Sequence, residues 1–173
     1  MSAGRDVERF PGTPDQVSAA RTFVRGVLRE HPHRDDAVLL TSEAAANTIQ
    51  HTATGQRPGG DIGAFTVAVV HDKSWVYVQV VDEGSSTVPC ACSADLDSEN
   101  GRGVTLISEL AWQWGYTSQR LDDGDHGTVW FALGQPPEAT VRTTAHWSYG
   151  RRDPRAERGY RPAHQRQLIP PQR

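Results

Sequence analysis

The sequence predicts an α/β two-layer sandwich: a mixed, mostly antiparallel sheet with helices on one face. Three observations lead there. Residues 14–52 hold two stretches whose apolar residues recur at the helical period. Residues 65–81 switch to a period of two, in two runs divided by Asp72-Lys73. Residues 114–133 return to strand-like sequence around Asp122-Asp123-Gly124-Asp125, after a short helical stretch that begins at Gly101. β-Branched and aromatic residues dominate the first hairpin, which suits a sheet covered by helices on one side.

Composition sets the bounds. At 173 residues and 36% hydrophobic, the chain suffices for one domain with a normal core and a remainder. The expected division is a domain over 1–135 and a tail over 136–173 that is mostly disordered. No apolar run is long enough to span a membrane, and MSAGRDVERF lacks the apolar region of a signal peptide. A cytoplasmic location is expected. Cys90 and Cys92 are too close to staple a fold and too few for a zinc site, so they read as incidental. Lys73 is the only lysine, and the Arg, Ala, Gly, Asp and Pro usage is of the kind that GC-rich bacterial genomes encode. Net charge is -3. Residues 136–173 hold eight Arg and three acidic residues, whereas the first 135 hold 10 basic against 18 acidic. An acidic body with a basic tail is not the footprint of a dedicated nucleic-acid binder, and no direct nucleic-acid contact is expected.

In order, Asp6 to Phe10 is a short strand. Thr13-Pro14-Asp15-Gln16 predicts a helix start, with Thr13 capping, Pro14 at the first helical position and Gln16 closing a capping box. Val17, Ala20, Val24, Val27 and Leu28 form its apolar stripe, and it stops near His31-Pro32. A second helix runs from Asp35 to Thr52, free of Gly and Pro. Val38, Ala45 and Ile49 face a core, while Leu39, Glu43, Asn47 and Gln50 share another face. Residues 55–63 are a loop. Strands follow at 65–70 and 75–81. Residues 85–100 are small, polar and aperiodic, a flexible loop. Gly101-Arg102-Gly103 opens a helix with Val104, Ile107 and Ala111 on one side. Strands at 114–121 and 127–133 flank the Asp-rich turn. Trp75, Trp112, Trp114 and Trp130 read as core or interface residues, and Trp147, Tyr149 and Tyr160 are the residues of the otherwise disordered tail that could dock somewhere.

Three features carry the chemistry. Glu43 and Asn47 stand one turn apart, and they read either as an exposed polar stripe or as a pair holding a hydrated divalent cation beside a hydroxyl. Asp82 ends a strand and precedes Gly84; it is either a turn residue or a carboxylate that accepts a hydrogen bond from an exocyclic amine. Gly101-Arg102-Gly103 is either a plain tight turn into a helix or a phosphate cradle of backbone N–H groups at the helix start. Combined, they describe a nucleotide site that the 85–100 loop closes over.

The ordered segments SEAAANTIQHT, VVDEGSSTVP, GRGVTLI and HGTVWFAL resemble the GHKL (Bergerat) ATPase superfamily. More narrowly, these segments resemble the bacterial anti-sigma-factor serine/threonine kinases and related ATP-binding regulators of actinomycetes, and the opening RFPGTPDQVSAARTFVRGVL resembles that group as well. The resemblance covers residues 6–134 and implies a histidine-kinase-like ATPase fold that binds ATP and Mg²⁺. It implies Asn47 as the Mg²⁺ ligand and Glu43 as the catalytic base. It implies Asp82 as the adenine ligand, with Gly84 letting the base approach, and Gly101, Arg102 and Gly103 as the phosphate-binding turn. Asn100, beside those glycines, is part of the closing loop or a plain turn residue. His51 matches a histidine common at this helix end, where helix C-terminal stabilisation is explanation enough. Two departures stand out. Asp82-Glu83-Gly84-Ser85-Ser86 lacks the family's second glycine, and Ala44-Ala45-Ala46 stands where larger apolar residues are usual.

Two functions follow from the resemblance. One is an anti-sigma-type protein kinase that phosphorylates a small antagonist protein. The alternative is a nucleotide-dependent binding module that sequesters a sigma factor or its antagonist without phosphoryl transfer. A homodimer is compatible with either. A sensor histidine kinase is not expected, since no helical hairpin with a phosphoacceptor histidine stands ahead of these boxes.

Overall fold

The computed structural model describes residues 3–52, 54–55, 60–83, 102–121 and 124–137. Its elements run β1 (Gly4–Pro11), α1 (Gln16–Val27), α2 (Arg34–His51), β2 (Ala64–His71), β3 (Val76–Val81), α3 (Arg102–Leu110), β4 (Gln113–Leu121) and β5 (Gly124–Leu133). The strands form one sheet in the order β1-β2-β3-β5-β4, and all four neighbouring pairs are antiparallel.

Period-two alternation decides which side chains meet the helices. Phe65, Val67 and Val69 of β2, Val76, Val78 and Val80 of β3, and Phe131 and Leu133 of β5 all join the main core. The register sets Val67 beside Val80, Val69 beside Val78, and Val78 beside Phe131. Each such burial contributes about 1.5–3 kcal/mol. From above come Ala20, Val24 and Leu28 after and within α1, and Val38, Leu40, Ala44 and Ala45 of α2. Phe10, the one buried residue of β1, stacks on Phe65 with ring centroids 5.3 Å apart. α2 is the hub of the helix layer, touching α1, α3, β3 and β5. Its small Ala44 and Ala45, both buried, let it sit close to the sheet.

Several expectations shift by a few residues. α1 begins at Gln16 rather than Pro14, and the capping box does not form. Instead the Thr13 carbonyl accepts the Gln16 N–H at 2.9 Å, and the Gln16 amide donates to the Asp15 carboxylate at 2.8 Å. The Thr13 side chain also bonds Asp15, and these two partners hold the Asp15 carboxyl below its usual range. A charged carboxylate between them outcompetes the backbone for both side chains. β1 is longer than predicted, and β4 and β5 pair out to Leu121 and Gly124, shrinking the Asp-rich turn. Trp75 is buried, Trp114 and Trp130 are half-buried, and Trp112 is 51% exposed. The 85–100 loop and residues 138–173 lie outside the described residues.

Candidate functional site

The site grows from the end of β3. The alternation that points Val76, Val78 and Val80 at the helices carries on to Asp82, which is 2% exposed. Its backbone N–H donates to the Gly127 carbonyl at 2.8 Å, extending the β3–β5 ladder by one step. Gly127 returns a bond through its own N–H, which donates to Asp82 Oδ1 at 2.9 Å. The Asp82 carbonyl also accepts from His126 Nδ1 at 3.0 Å, which puts the proton on that ring nitrogen. A buried carboxylate is tolerated only when hydrogen-bonded. The Gly127 bond fixes the orientation of the carboxylate.

Gly127 has to be glycine for this geometry. A Cβ there would lie 2.7 Å from Asp82 Oδ1 and 2.6 Å from the Tyr116 hydroxyl. Opposite Val81 in the ladder stands Thr128, buried at the same end of the sheet.

A second set of bonds ties α2 to this strand end. The Thr52 hydroxyl donates to the Thr48 carbonyl at 2.6 Å and accepts the Thr54 N–H at 3.1 Å. The fully buried Thr54 then accepts the Glu83 N–H on its Oγ1 at 3.0 Å. The helix that carries Glu43 and Asn47 is thereby fixed to the residue next to Asp82. Arg9 closes over the same point with a 3.1 Å ion pair to Glu83, exposed on the Arg side and of small energetic weight.

Glu43 and Asn47 are both half-buried, and neither side chain hydrogen-bonds another described residue. Leu39 and Gln50, predicted on their face, are exposed. His51 is exposed in the last turn of α2. Arg102 and Gly103 lie in the first turn of α3, which packs against α2. Gly84, Asn100 and Gly101 lie outside the described residues, as do Cys90 and Cys92. The fold thus makes neighbours of the elements that bear Asn47, Asp82 and Arg102. Sequence reasoning did not single out Gly127, Thr52 or Thr54. Gly127 had a signal, the HGT of HGTVWFAL; the Thr52-x-Thr54 pair had only its position after a helix.

Comparison with known families decides what this arrangement belongs to. The family model of the histidine kinase-like ATPase domain matches residues 10–132, well over half of the chain. The chain belongs to that family. The antiparallel sheet with helices packed against it is the fold that GHKL ATPases have. The histidine kinase-like ATPase domain implies ATP and Mg²⁺ binding, and the family is typical of anti-sigma-factor serine/threonine kinases. No curated protein matches the chain. Among the described residues, no helix of this histidine kinase-like domain is long and apolar enough to cross a membrane.

The residues present suit the groups the family implies. A buried, oriented carboxylate suits an amine donor. Mg²⁺ keeps several waters and takes one or two protein groups besides phosphate oxygens. One half-buried amide such as Asn47 meets that requirement.

Proposed function

We propose that this chain is an ATP- and Mg²⁺-dependent protein serine/threonine kinase of the anti-sigma type, acting on a serine of a small antagonist protein. The observation that carries the proposal is the buried Asp82 carboxylate, fixed by Gly127 within a histidine kinase-like ATPase domain. In this reading Asp82 accepts the exocyclic amine of adenine, with Gly84 leaving room for the base. A purine without the amine would lose that hydrogen bond to the buried carboxylate, which makes the contact selective. Asn47 holds Mg²⁺, which supplies charge neutralisation at the phosphates. Gly101, Arg102 and Gly103, with Asn100 beside them, meet the phosphates at the start of α3, where backbone N–H groups point outward.

Glu43 takes the proton from the acceptor serine hydroxyl. The serine oxygen then bonds to the γ-phosphorus as the bond to the β–γ bridging oxygen breaks, and ADP leaves. Such transfer depends on positioning and charge neutralisation more than on covalent chemistry, which suits so spare a set of side chains.

The test is transfer of labelled γ-phosphate to an antagonist protein, wild type against Glu43→Ala. Loss of a general base is expected to slow transfer by about 10²-fold or more while ATP affinity stays. Retained transfer removes Glu43 from the mechanism. The missing second glycine after Asp82 favours one other reading, a module that binds nucleotide to shape a partner-binding surface. That reading predicts that Asn47→Ala weakens nucleotide and partner binding together, with no phosphoprotein in the wild type.

A further inference from the structure

A tyrosine from the edge strand reaches toward the same buried carboxylate. Residues opposite one another in a ladder share a face of the sheet. Tyr116 of β4 stands opposite Val129, and Ser118 stands opposite Gly127. Val129 packs against the main core, so Tyr116, Gly127 and Asp82 all belong to the face that the helices cover. The whole of β5 separates β4 from β3, about 10 Å at the usual strand spacing. Side chains that start so far apart meet only where the strand between them leaves room. Gly127 leaves it. The point where its Cβ would stand is 2.6 Å from the Tyr116 hydroxyl, 2.7 Å from Asp82 Oδ1 and 2.9 Å from Asp82 Oδ2. The Tyr116 side chain leans over the glycine, and its polar end and both carboxylate oxygens border one gap the size of a methyl group.

Packing does not account for the hydroxyl. A phenylalanine would roof a glycine on a covered face equally well. Tyr116 is half-buried, and carrying a hydroxyl out of water costs free energy unless it is bonded. Beside a carboxylate it has a use. A phenol at neutral pH carries an O–H to donate, and an ionised carboxylate only accepts. Bonds of that kind, with a charged acceptor, are the strong ones.

We infer that Tyr116 is a positioning residue of the nucleotide site. Its hydroxyl donates to the Asp82 carboxylate from the β4 side and, together with the Gly127 N–H, turns that carboxylate toward the exocyclic amine. The inference rests on the reading of Asp82 as the adenine ligand. Tyr116 acts through Asp82 and touches no reacting atom. Gly127 then has two tasks: it donates its own N–H, and it opens the path along which the tyrosine arrives.

The experiment is calorimetric titration of the intact protein with two Mg²⁺-bound ligands, ATP and purine riboside triphosphate, which has a hydrogen in place of the amine. The wild type should prefer ATP. Tyr116→Phe removes one oxygen and keeps the ring, so the thermal midpoint should stay close to that of the wild type. It is expected to weaken ATP binding about 3- to 10-fold, the worth of one hydrogen bond, and to leave the amine-free ligand within about twofold. Loss of a donor also raises the Asp82 carboxyl, so the acid limb of ATP affinity should move to higher pH than in the wild type. In an Asp82→Asn background, Tyr116→Phe should have no further effect, as a residue that works through Asp82 requires.

ATP affinity and discrimination at wild-type levels in Tyr116→Phe overturn the inference. Equal weakening of both ligands also overturns it, and so does an undiminished effect in the Asp82→Asn background; Tyr116 would then serve packing or meet the nucleotide itself. Weakened ATP binding in Asp82→Asn with none in Tyr116→Phe removes the tyrosine and leaves the aspartate. A wild type that binds both ligands equally removes the adenine reading of Asp82, and the role of Tyr116 with it.

Discussion

β3 has an aspartate at each end, and the two do opposite things. Asp72, before the strand, sits at the surface. Its Oδ1 accepts the backbone N–H groups of Ser74 at 2.7 Å and Trp75 at 3.1 Å, and the Ser74 hydroxyl at 3.1 Å. All three donors lie within three residues, so the carboxylate spends itself on closing its own turn. Asp82, after the strand, is buried, and its partner Gly127 is 45 positions away in sequence. A local acid shapes the chain that carries it. An acid buried through a distant glycine is held there by the whole sheet, and it is oriented for something other than its own turn.

The contrast can be broken from the Asp82 side first. Gly127→Ala forces a methyl into the 2.7 Å gap before Oδ1. Overpacking of this kind costs about 1–3 kcal/mol. ATP affinity should fall by at least about tenfold by calorimetry, because the carboxylate has to turn away. An unchanged affinity would show that Asp82 needs no fixed orientation. Thr54→Val comes next. It leaves the Glu83 N–H without its 3.0 Å acceptor, costing about 1–3 kcal/mol of stability in urea unfolding and a smaller part of ATP affinity. Unfolding at the wild-type midpoint would mean that α2 is not tied to the strand end through this residue.

The smallest effect belongs to Asp72→Asn, which should leave ATP binding untouched and change only the acid limb of stability. The N–H groups of Ser74 and Trp75 hold the Asp72 carboxyl below its ordinary value. A depressed folded-state value contributes stability that is present above the unfolded value, about 3.9, and lost as the pH falls through the folded one. The mutant's thermal midpoint should therefore depend less steeply on pH below about 4 than the wild type's. An equal slope would deny Asp72 any part in acid unfolding. His31 acts in a higher window by the same sign. Burial, with His33 and His71 nearby, lowers its value from 6.5, so its contribution is complete above 6.5 and lost as the pH falls through the lowered value.

Much of this was legible in sequence because periodicity is a local signal. The switch from period 3.6 to period 2 located both long helices and the β2–β3 hairpin. Val38 and Ala45 on the buried side of α2, and Glu43 on the other, followed from spacing alone. The capping box misled, because a pattern of residue types does not say that Asp15 competes for the same donors. Asp82 remained ambiguous with a turn residue, since its distinguishing partner is Gly127 and strand pairing is non-local.

The central claim is that Asp82 is the carboxylate that recognises ATP. Calorimetric titration of the intact protein with ATP, with and without Mg²⁺, tests it most directly when repeated on Asp82→Asn. Micromolar, Mg²⁺-sensitive binding that weakens by about 10- to 100-fold in the mutant, the worth of one hydrogen bond to a charged group, is the predicted result. Equal binding by the two proteins, or none by the wild type, would contradict it.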